Sequence, residues 1–167
     1  MISINRTENY EIAHNLFPYD GGCFSIHGHS YKVTVEITGP QEAPLGMIVD
    51  FKILKKLMNE VIPDHAYIYD KRLLNNTNKM NIIPKLVPML EDAGMHTVGY
   101  NCTTTCENLV KVWANMINER LVDEYGLNDI YVSRLTANET QNSQAVYVAS
   151  EDFNPYRKQK SSSEVNS

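Results

Sequence analysis

The sequence predicts one α+β domain, in which pairs of strands near the two ends of the chain flank two helices. Residues 2–16 and 26–38 alternate apolar and polar side chains with a period of two, which is typical of strands with one covered face. Residues 51–61 and 105–124 instead repeat apolar side chains at the 3.6-residue period of a helix. With a hairpin near the end of the chain, this order predicts a ββααββ unit, an antiparallel sheet with both helices on one face.

Length and composition fit one compact domain. The chain has 167 residues, of which 43% are hydrophobic, and this is enough for one core and too little for two ordinary domains. The formal net charge of −5 provides neither a basic nucleic-acid footprint nor a polybasic membrane patch. Three cysteines, no signal peptide and no long apolar run favour a reducing, cytoplasmic setting. We therefore expect neither nucleic acid nor a membrane as a partner.

The first two strands carry histidines on their apolar faces. Even-numbered residues of the first strand are mostly apolar and include His14, whereas odd-numbered residues of the second include His27 and His29. A bulge or frayed segment is expected in the first strand, where residues 6–9 interrupt the alternation. Three imidazoles on covered faces predict a metal site, which keeps an open position if it is catalytic. The alternative interpretation is a set of hydrogen-bonded core histidines.

Further along, the sequence offers groups suited to proton transfer. Cys23 follows a turn signal and lies four residues before His27, so a thiolate beside the metal would be a base or nucleophile. Its alternative roles are a small apolar residue or a fourth metal ligand. Asp64 and His65 are adjacent, and a carboxylate that holds an imidazole fixes its tautomer.

Capping residues predict where the helices begin. Asp50 is the expected cap of the first helix. Residues 70–100 are interpreted as an insertion with a short helix over about 84–93. Thr104 and Glu107 fit a capping box that opens the second helix, so for Glu107 we expect helix capping before substrate contact.

The end of the chain predicts a hairpin and a tail. Residues 130–137 and 144–149 alternate as two strands, and Glu139 follows the first of them, where a carboxylate has no obvious structural role. Residues 151–167 are polar and are expected to be a disordered tail. The domain is therefore assigned to residues 1–150.

Six motifs in a fixed order carry a family resemblance. They are His14, Cys23-x-x-x-His27-Gly-His29, Gly46-Met-Ile-Val-Asp50-Phe51, Asp64-His65, Thr104-Thr-Cys-Glu107-Asn108 and Asn138-Glu139-Thr140. The set resembles the 6-pyruvoyl-tetrahydropterin synthase superfamily over residues 2–149. The mammalian-type synthases have five residues between the Cys and the His-Gly-His, whereas the three found here resemble 6-carboxy-5,6,7,8-tetrahydropterin synthase of 7-deazapurine (queuosine) biosynthesis.

The resemblance implies an assembly, a cofactor and residue roles. The implied architecture is the tunnelling fold, in which three four-stranded sheets join as a barrel and two such trimers stack into a homohexamer, with active sites at subunit interfaces. The implied cofactor is Zn²⁺. The implied roles are metal binding by His14, His27 and His29, catalysis by Cys23, Asp64 and His65, and substrate binding by Glu139, Thr104, Thr105 and Glu107.

The resemblance also implies a reaction. Its substrate would be 7,8-dihydroneopterin triphosphate, and its products 6-carboxy-tetrahydropterin, acetaldehyde and triphosphate, formed by a carbon–carbon lyase. Two alternatives stay open: a pyruvoyl-forming relative that keeps the side-chain carbons, and a non-catalytic binding or assembly module in which zinc is structural. Two features depart from the family pattern. Position 104 is Thr where relatives commonly have Pro, and the insertion is longer than in compact bacterial members. Both departures bear on loop shape and substrate entry.

Overall fold

A six-stranded sheet, curled into a half-barrel, is the frame of the molecule. The computed structural model describes residues 1–41 and 44–150, so the predicted tail lies outside the described residues. Its strands and α-helices are β1 Ile2–His14, β2 His27–Gly39, α1 Phe51–Val61, β3 Ala66–Asp70, α2 Ile83–Asp92, β4 Thr97–Tyr100, α3 Cys106–Asp123, β5 Tyr131–Asn138 and β6 Gln144–Val148. The order across the sheet is β4-β3-β1-β2-β5-β6.

The predicted antiparallel unit is present as β1, β2, β5 and β6. β1 pairs with β2 without interruption along its whole length, so the bulge expected at residues 6–9 is wrong. Within this stretch Arg6 and Glu8, on the same face of the strand, form an ion pair of 2.6 Å. The irregularity lies between Glu36 and Ile37, where β2 pairs with β5.

The insertion adds two strands and a helix that the predicted ββααββ unit lacked. β3 pairs parallel with β1 at Ile12 and Ala13, and β4 pairs parallel with β3. The sheet is therefore mixed, not wholly antiparallel. The short helix expected within the insertion is α2.

α1 and α3 cover one face of the sheet, as predicted. Asp50 caps α1, since its Oδ1 accepts the N–H of Lys52 at 2.8 Å. Side chains that are fully buried between these helices and the sheet include Leu54, Leu57, Leu109, Trp113, Ile117, Tyr31, Val33 and Val35. Among the described residues, no helix has the length and apolarity needed to cross a bilayer.

α2 covers a corner of the opposite face. Neighbouring residues of a strand point to opposite faces, and Ile68 belongs to the large core beneath α1 and α3. A second core on the other side consists of Tyr67, Tyr69, Ile83 and Val87, with Ala13, Leu73, Leu74, Leu86 and Leu90 packed against it. All five residues of β3 are therefore buried, and only α1 and α3 obey the prediction of helices on one face.

The start of α3 also differs from the prediction. Its N-cap is Thr105, which makes no side-chain capping hydrogen bond. The hydroxyl of Thr104 is buried and has no hydrogen-bond partner in the described part of the chain. The capping box of Thr104 and Glu107 is therefore wrong. Glu107 lies exposed in the first turn of α3, where a carboxylate favours the helix dipole.

Candidate active site

Three histidines converge where β1 ends and β2 begins. His14 and His27 are direct partners across the two strands, and His29 pairs with Ile12. All three side chains therefore leave the same face of the sheet, as strand parity predicted. One ring nitrogen from each lies within 4.8 Å of the others. His14 is buried, and the other two are half-buried.

Backbone carbonyls fix the tautomers of His14 and His27. Nδ1 of His14 lies 2.8 Å from the carbonyl oxygen of Thr104, and Nδ1 of His27 lies 2.8 Å from that of Ser25. Because a carbonyl only accepts, each Nδ1 carries the proton and each neutral ring turns the lone pair of Nε2 inward. The two Nε2 atoms are 3.1 Å apart. Two lone pairs that face each other at this distance repel unless a cation or a proton lies between them.

This donor set fits zinc. At zinc–nitrogen distances of about 2.0–2.1 Å, two nitrogens of a tetrahedral site lie about 3.3 Å apart, close to the separation of the His14 and His27 Nε2 atoms. Carbonyls that hold the other ring nitrogen orient metal-binding imidazoles in this way. Three protein ligands would leave a tetrahedral ion one position for another ligand.

Burial favours the neutral form of two of the histidines. It lowers the pKa of His14, and the hydrogen bond to the Thr104 carbonyl only partly opposes it. Burial likewise lowers the pKa of His29, against the raising effect of the nearby Glu139 charge. Only a neutral imidazole binds a metal, so both shifts favour metal binding near neutral pH.

Glu139 lies beside the histidines. Its Oε1 is 3.7 Å from Nε2 of His29 and 3.9 Å from Nε2 of His14. The same oxygen accepts a hydrogen bond of 2.7 Å from the hydroxyl of Tyr31. Burial, followed by the bond to Glu139, raises the pKa of Tyr31, which therefore remains a donor. The carboxylate has a structural partner that the sequence did not reveal.

A small cavity of about 90 Å³ lies between Glu139 and the start of α3. Cys106 and Glu107 line one side of it, and Ser143, Gln144 and Ala145 complete the lining. Two of the residues predicted to bind substrate, Glu107 and Glu139, therefore border the same space. Of the other two, Thr105 is half-buried at the N-cap of α3, and Thr104 gives its carbonyl to His14.

The Cys23 thiol lies outside the histidine cluster. Cys23 is half-buried within the 3₁₀ turn Gly22–Phe24, and it is a free cysteine. Its carbonyl accepts the N–H of Leu16 at 2.8 Å. Among the described residues, the atoms that meet as candidate ligands belong to the three histidines and not to Cys23. The thiol is therefore not the fourth ligand in this arrangement.

Asp64 and His65 form an exposed turn at the start of β3. Oδ1 of Asp64 accepts the N–H of Glu11 at 2.9 Å and that of His65 at 3.0 Å. Oδ2 lies 3.9 Å from Nε2 of His65, which is too far for a hydrogen bond, so Asp64 shapes the backbone here and does not orient the ring as expected. His65 has a φ of +49°, an unfavourable region for a side chain with Cβ. Both His65 and His29 border a cavity of about 510 Å³.

Sequence reasoning missed three contributors to this site. Tyr31 lies two residues after His29 on the same strand face, and that parity was the available signal. The carbonyl groups of Thr104 and Ser25 orient the histidines but leave no signal, because every residue has a carbonyl.

A family model decides where this fold and this site belong. The model described as 6-pyruvoyl tetrahydropterin synthase matches residues 3–150. The chain belongs to this family.

Whereas the family model is named for a 6-pyruvoyl product, several curated relatives are named for a 6-carboxy product. A 6-carboxy-5,6,7,8-tetrahydropterin synthase from Haemophilus influenzae is 32% identical over 123 residues, which cover 70% of this chain and 82% of the relative. Another of the same name, from Synechocystis, is 26% identical over 128 residues, which cover 71% of this chain and 98% of the relative.

Solved structures share the fold. An uncharacterised protein from Wolinella succinogenes superimposes with a TM-score of 0.66 at 18% identity, over 89% of this chain and 98% of its own. The 6-pyruvoyl tetrahydropterin synthase of Caenorhabditis elegans does so with a TM-score of 0.60 at 20% identity, over 89% of this chain and 96% of its own. The predicted tunnelling fold of the single chain is thereby confirmed.

Proposed function

We propose that the chain is a zinc-dependent 6-carboxy-5,6,7,8-tetrahydropterin synthase of 7-deazapurine (queuosine) biosynthesis, active in the cytoplasm. It would convert 7,8-dihydroneopterin triphosphate into 6-carboxy-tetrahydropterin, acetaldehyde and triphosphate. The observation that carries this proposal is the set of three histidines, two of them with Nε2 turned inward by carbonyl contacts, in a chain of this family. The names of the curated relatives and the three residues between Cys23 and His27 favour the 6-carboxy product.

His14, His27 and His29 would hold the zinc ion. When bound, zinc supplies Lewis-acid stabilisation of negative charge on a substrate oxygen. The protein supports this chemistry because burial lowers the pKa of His14 and of His29 and so favours their neutral, metal-binding forms.

Cys23 and His65 would move protons at the side-chain carbons of the substrate. Cys23 is a free, half-buried thiol in a turn that Leu16 anchors to the end of β1. His65 borders the larger cavity, and its exposed imidazole can exchange protons with solvent. Asp64 would contribute by holding the turn that presents His65.

Glu139 would anchor the pterin ring. A carboxylate can accept two parallel hydrogen bonds from the 2-amino group and the adjacent ring N–H. The Tyr31 hydroxyl already holds Oε1 in place, which reduces the freedom that binding must remove. Glu107, on the same small cavity, and the neighbouring Thr104 and Thr105 would complete the substrate contacts.

Assembly into a homohexamer of two trimers is part of the proposal. β1 pairs with β3 only at Ile12 and Ala13, which leaves most of its outer edge without a partner strand among the described residues. β6 forms the opposite edge of the sheet. Open edges are aggregation hazards that assembly removes, and pairing of β1 with β6 of another copy would close the barrel.

Product analysis tests the proposed function. Purified, zinc-loaded protein is incubated with 7,8-dihydroneopterin triphosphate, and acetaldehyde and the reduced pterin are followed together by mass spectrometry. Acetaldehyde with a 6-carboxy pterin supports the proposal. A 6-pyruvoyl pterin without acetaldehyde would assign the chain to the pyruvoyl-forming alternative.

A non-catalytic zinc module is the other alternative, and Cys23→Ala separates it from the enzyme. If Cys23 were a structural ligand, this variant would lose zinc and stability together. We expect it to keep zinc, because Cys23 lies outside the histidine cluster, and to lose turnover by about 100-fold or more. Zinc content and the thermal midpoint are measured beside the rate.

A further inference from the structure

We propose that Tyr67 and Asn15 are positioning residues that fix the Cys23 turn relative to the His65 turn. This inference rests on the proposed function. Tyr67 lies two residues after His65 on β3, and Asn15 directly follows the metal ligand candidate His14. A hydrogen-bonded bridge from Tyr67 through Asn15 to the residue after Cys23 joins them.

The bridge has a defined direction. The hydroxyl of Tyr67 donates to Oδ1 of Asn15 at 2.5 Å, and Nδ2 of Asn15 donates to the carbonyl of Phe24 at 3.4 Å. The Phe24 carbonyl only accepts, so the amide must turn its nitrogen toward it. The amide oxygen then needs a donor, and Tyr67 supplies one. Burial raises the pKa of Tyr67 to about 12, so the hydroxyl keeps its proton at neutral pH.

Burial makes this bridge more than a surface contact. Asn15 is 4% exposed and Tyr67 is 7% exposed. A buried amide that lost its partners would be left unsatisfied, so the network resists rearrangement. The aromatic ring of Tyr67 is held in turn by the second core, where it stacks on Tyr69 with ring centroids 6.4 Å apart. The insertion therefore helps to fix a tyrosine that orients the Cys23 turn.

A backbone hydrogen bond anchors the turn beside this bridge. The N–H of Leu16 donates to the Cys23 carbonyl, and the Asn15 amide holds the next carbonyl along the chain. The contact of His27 with the Ser25 carbonyl and the packing of Phe24 against Phe17 also restrain this segment, so loss of the amide contact would loosen the turn without releasing it. A displacement of about 1 Å at a reacting group can lower turnover by about 100-fold, so a partial loosening should be visible in the rate.

Tyr67→Phe tests the bridge, with Tyr69→Phe as its matched control. Both variants lose one hydroxyl from the same strand and the same core, but within the described residues no hydrogen bond of the Tyr69 hydroxyl is formed. We expect Tyr67→Phe to lower kcat by about 10- to 30-fold with KM changed by less than about threefold, and to keep its zinc. Tyr69→Phe should stay within about twofold of the wild type.

Alkylation of Cys23 by iodoacetamide gives a readout that does not depend on turnover. The modified residue is identified by mass spectrometry, which separates Cys23 from Cys102 and Cys106. A loosened turn exposes the thiol more often, so Tyr67→Phe should raise the alkylation rate of Cys23 at least about threefold, and Tyr69→Phe should not.

Two further results keep the proposal falsifiable. Asn15→Ala breaks the same bridge from its centre, and the double variant should be no worse than the more affected single variant because the residues act as one unit. Tyr67→Phe and Asn15→Ala that match Tyr69→Phe in both readouts would overturn the proposal. If the wild type makes no 6-carboxy pterin, the proposed function fails, and the alkylation rates still decide whether the bridge holds the turn.

Discussion

The histidine cluster and the Asp64–His65 turn differ in how firmly the chain holds them. The cluster lies on two paired strands, and two of its rings are fixed by carbonyl contacts of 2.8 Å. The His65 side chain is 80% exposed and makes no hydrogen bond to the adjacent carboxylate. A single chain therefore holds its three candidate metal ligands firmly, but it holds the histidine proposed for proton transfer only in part. Under the proposed function, bound substrate or another copy of the chain would supply the remaining order at His65.

Removal of a cluster histidine should have the largest effect. His27→Ala deletes one ligand and leaves the inward lone pair of His14 without its neighbour. We expect zinc to fall from one ion per chain to a small fraction of that, and turnover to fall by more than about 100-fold, since loss of a group that merely supports a ligand already has an effect of that size. Metal analysis after dialysis checks the first expectation. Full zinc occupancy in this variant would refute the assigned site.

Removal of His65 should affect turnover without affecting zinc binding. His65→Ala is expected to keep the full zinc content, because the turn takes no part in the cluster. Turnover should fall by about 10² to 10⁴, the usual contribution of a general acid or base. Zinc content and single-turnover rates are compared with those of His27→Ala. Loss of zinc from both variants would mean that the regions are not independent.

Acid should weaken the zinc-free protein through the cluster. The folded-state pKa of His14 is lowered by burial, whereas the unfolded chain titrates near the ordinary value of about 6.5. As pH falls below about 6.5, the unfolded state takes up the proton before the folded state does. The free energy of unfolding therefore decreases with falling pH, and the decrease ends once pH is below the folded-state pKa of His14. The slope reaches at most about 1.4 kcal/mol per pH unit for this group.

Urea unfolding between pH 7.5 and 5.5 measures that slope. His14→Gln should flatten it, because the variant has no imidazole at this position to take up the proton. An unaltered slope in His14→Gln would assign the acid sensitivity to other groups.

The smallest expected effect is a gain in stability at His65. Its φ of +49° is readily adopted by glycine and unfavourable for other residues. His65→Gly relieves the backbone strain but increases the conformational entropy of the unfolded chain. The net effect should stabilise the fold by about 0.5–1 kcal/mol and raise the thermal midpoint by about 1–4 °C. His65→Ala, which keeps a Cβ, is the control and should show no such gain. A lower midpoint for the glycine variant would mean that the imidazole makes stabilising contacts.

The sequence was most informative where one face of an element is covered. The parity of residues in β1 and β2 placed His14, His27 and His29 on one side, because a strand with one wet face must alternate. Asp50 was likewise predictable as a cap, since its carboxylate needs only the N–H groups of the next turn.

Prediction failed where both faces are buried. β3 lies between the two cores, so its residues do not alternate, and its parallel pairing with β1 depends on contacts more than 50 positions apart in sequence. The capping box predicted at Thr104 failed for another reason. Its sequence fits a cap, but the segment before α3 turns its carbonyl to His14, and that choice depends on tertiary contacts.

The position of the cluster in the chain has a consequence for the order of folding. All three candidate ligands lie within the first 29 residues, on a single hairpin. Only the short loop between β1 and β2 must therefore close to bring them together. The carbonyl that orients His14, however, belongs to residue 104 and arrives only when α3 docks. We expect a nascent chain to bring its imidazoles together early and to acquire tight, correctly oriented metal binding only after α3 has been synthesised and has docked.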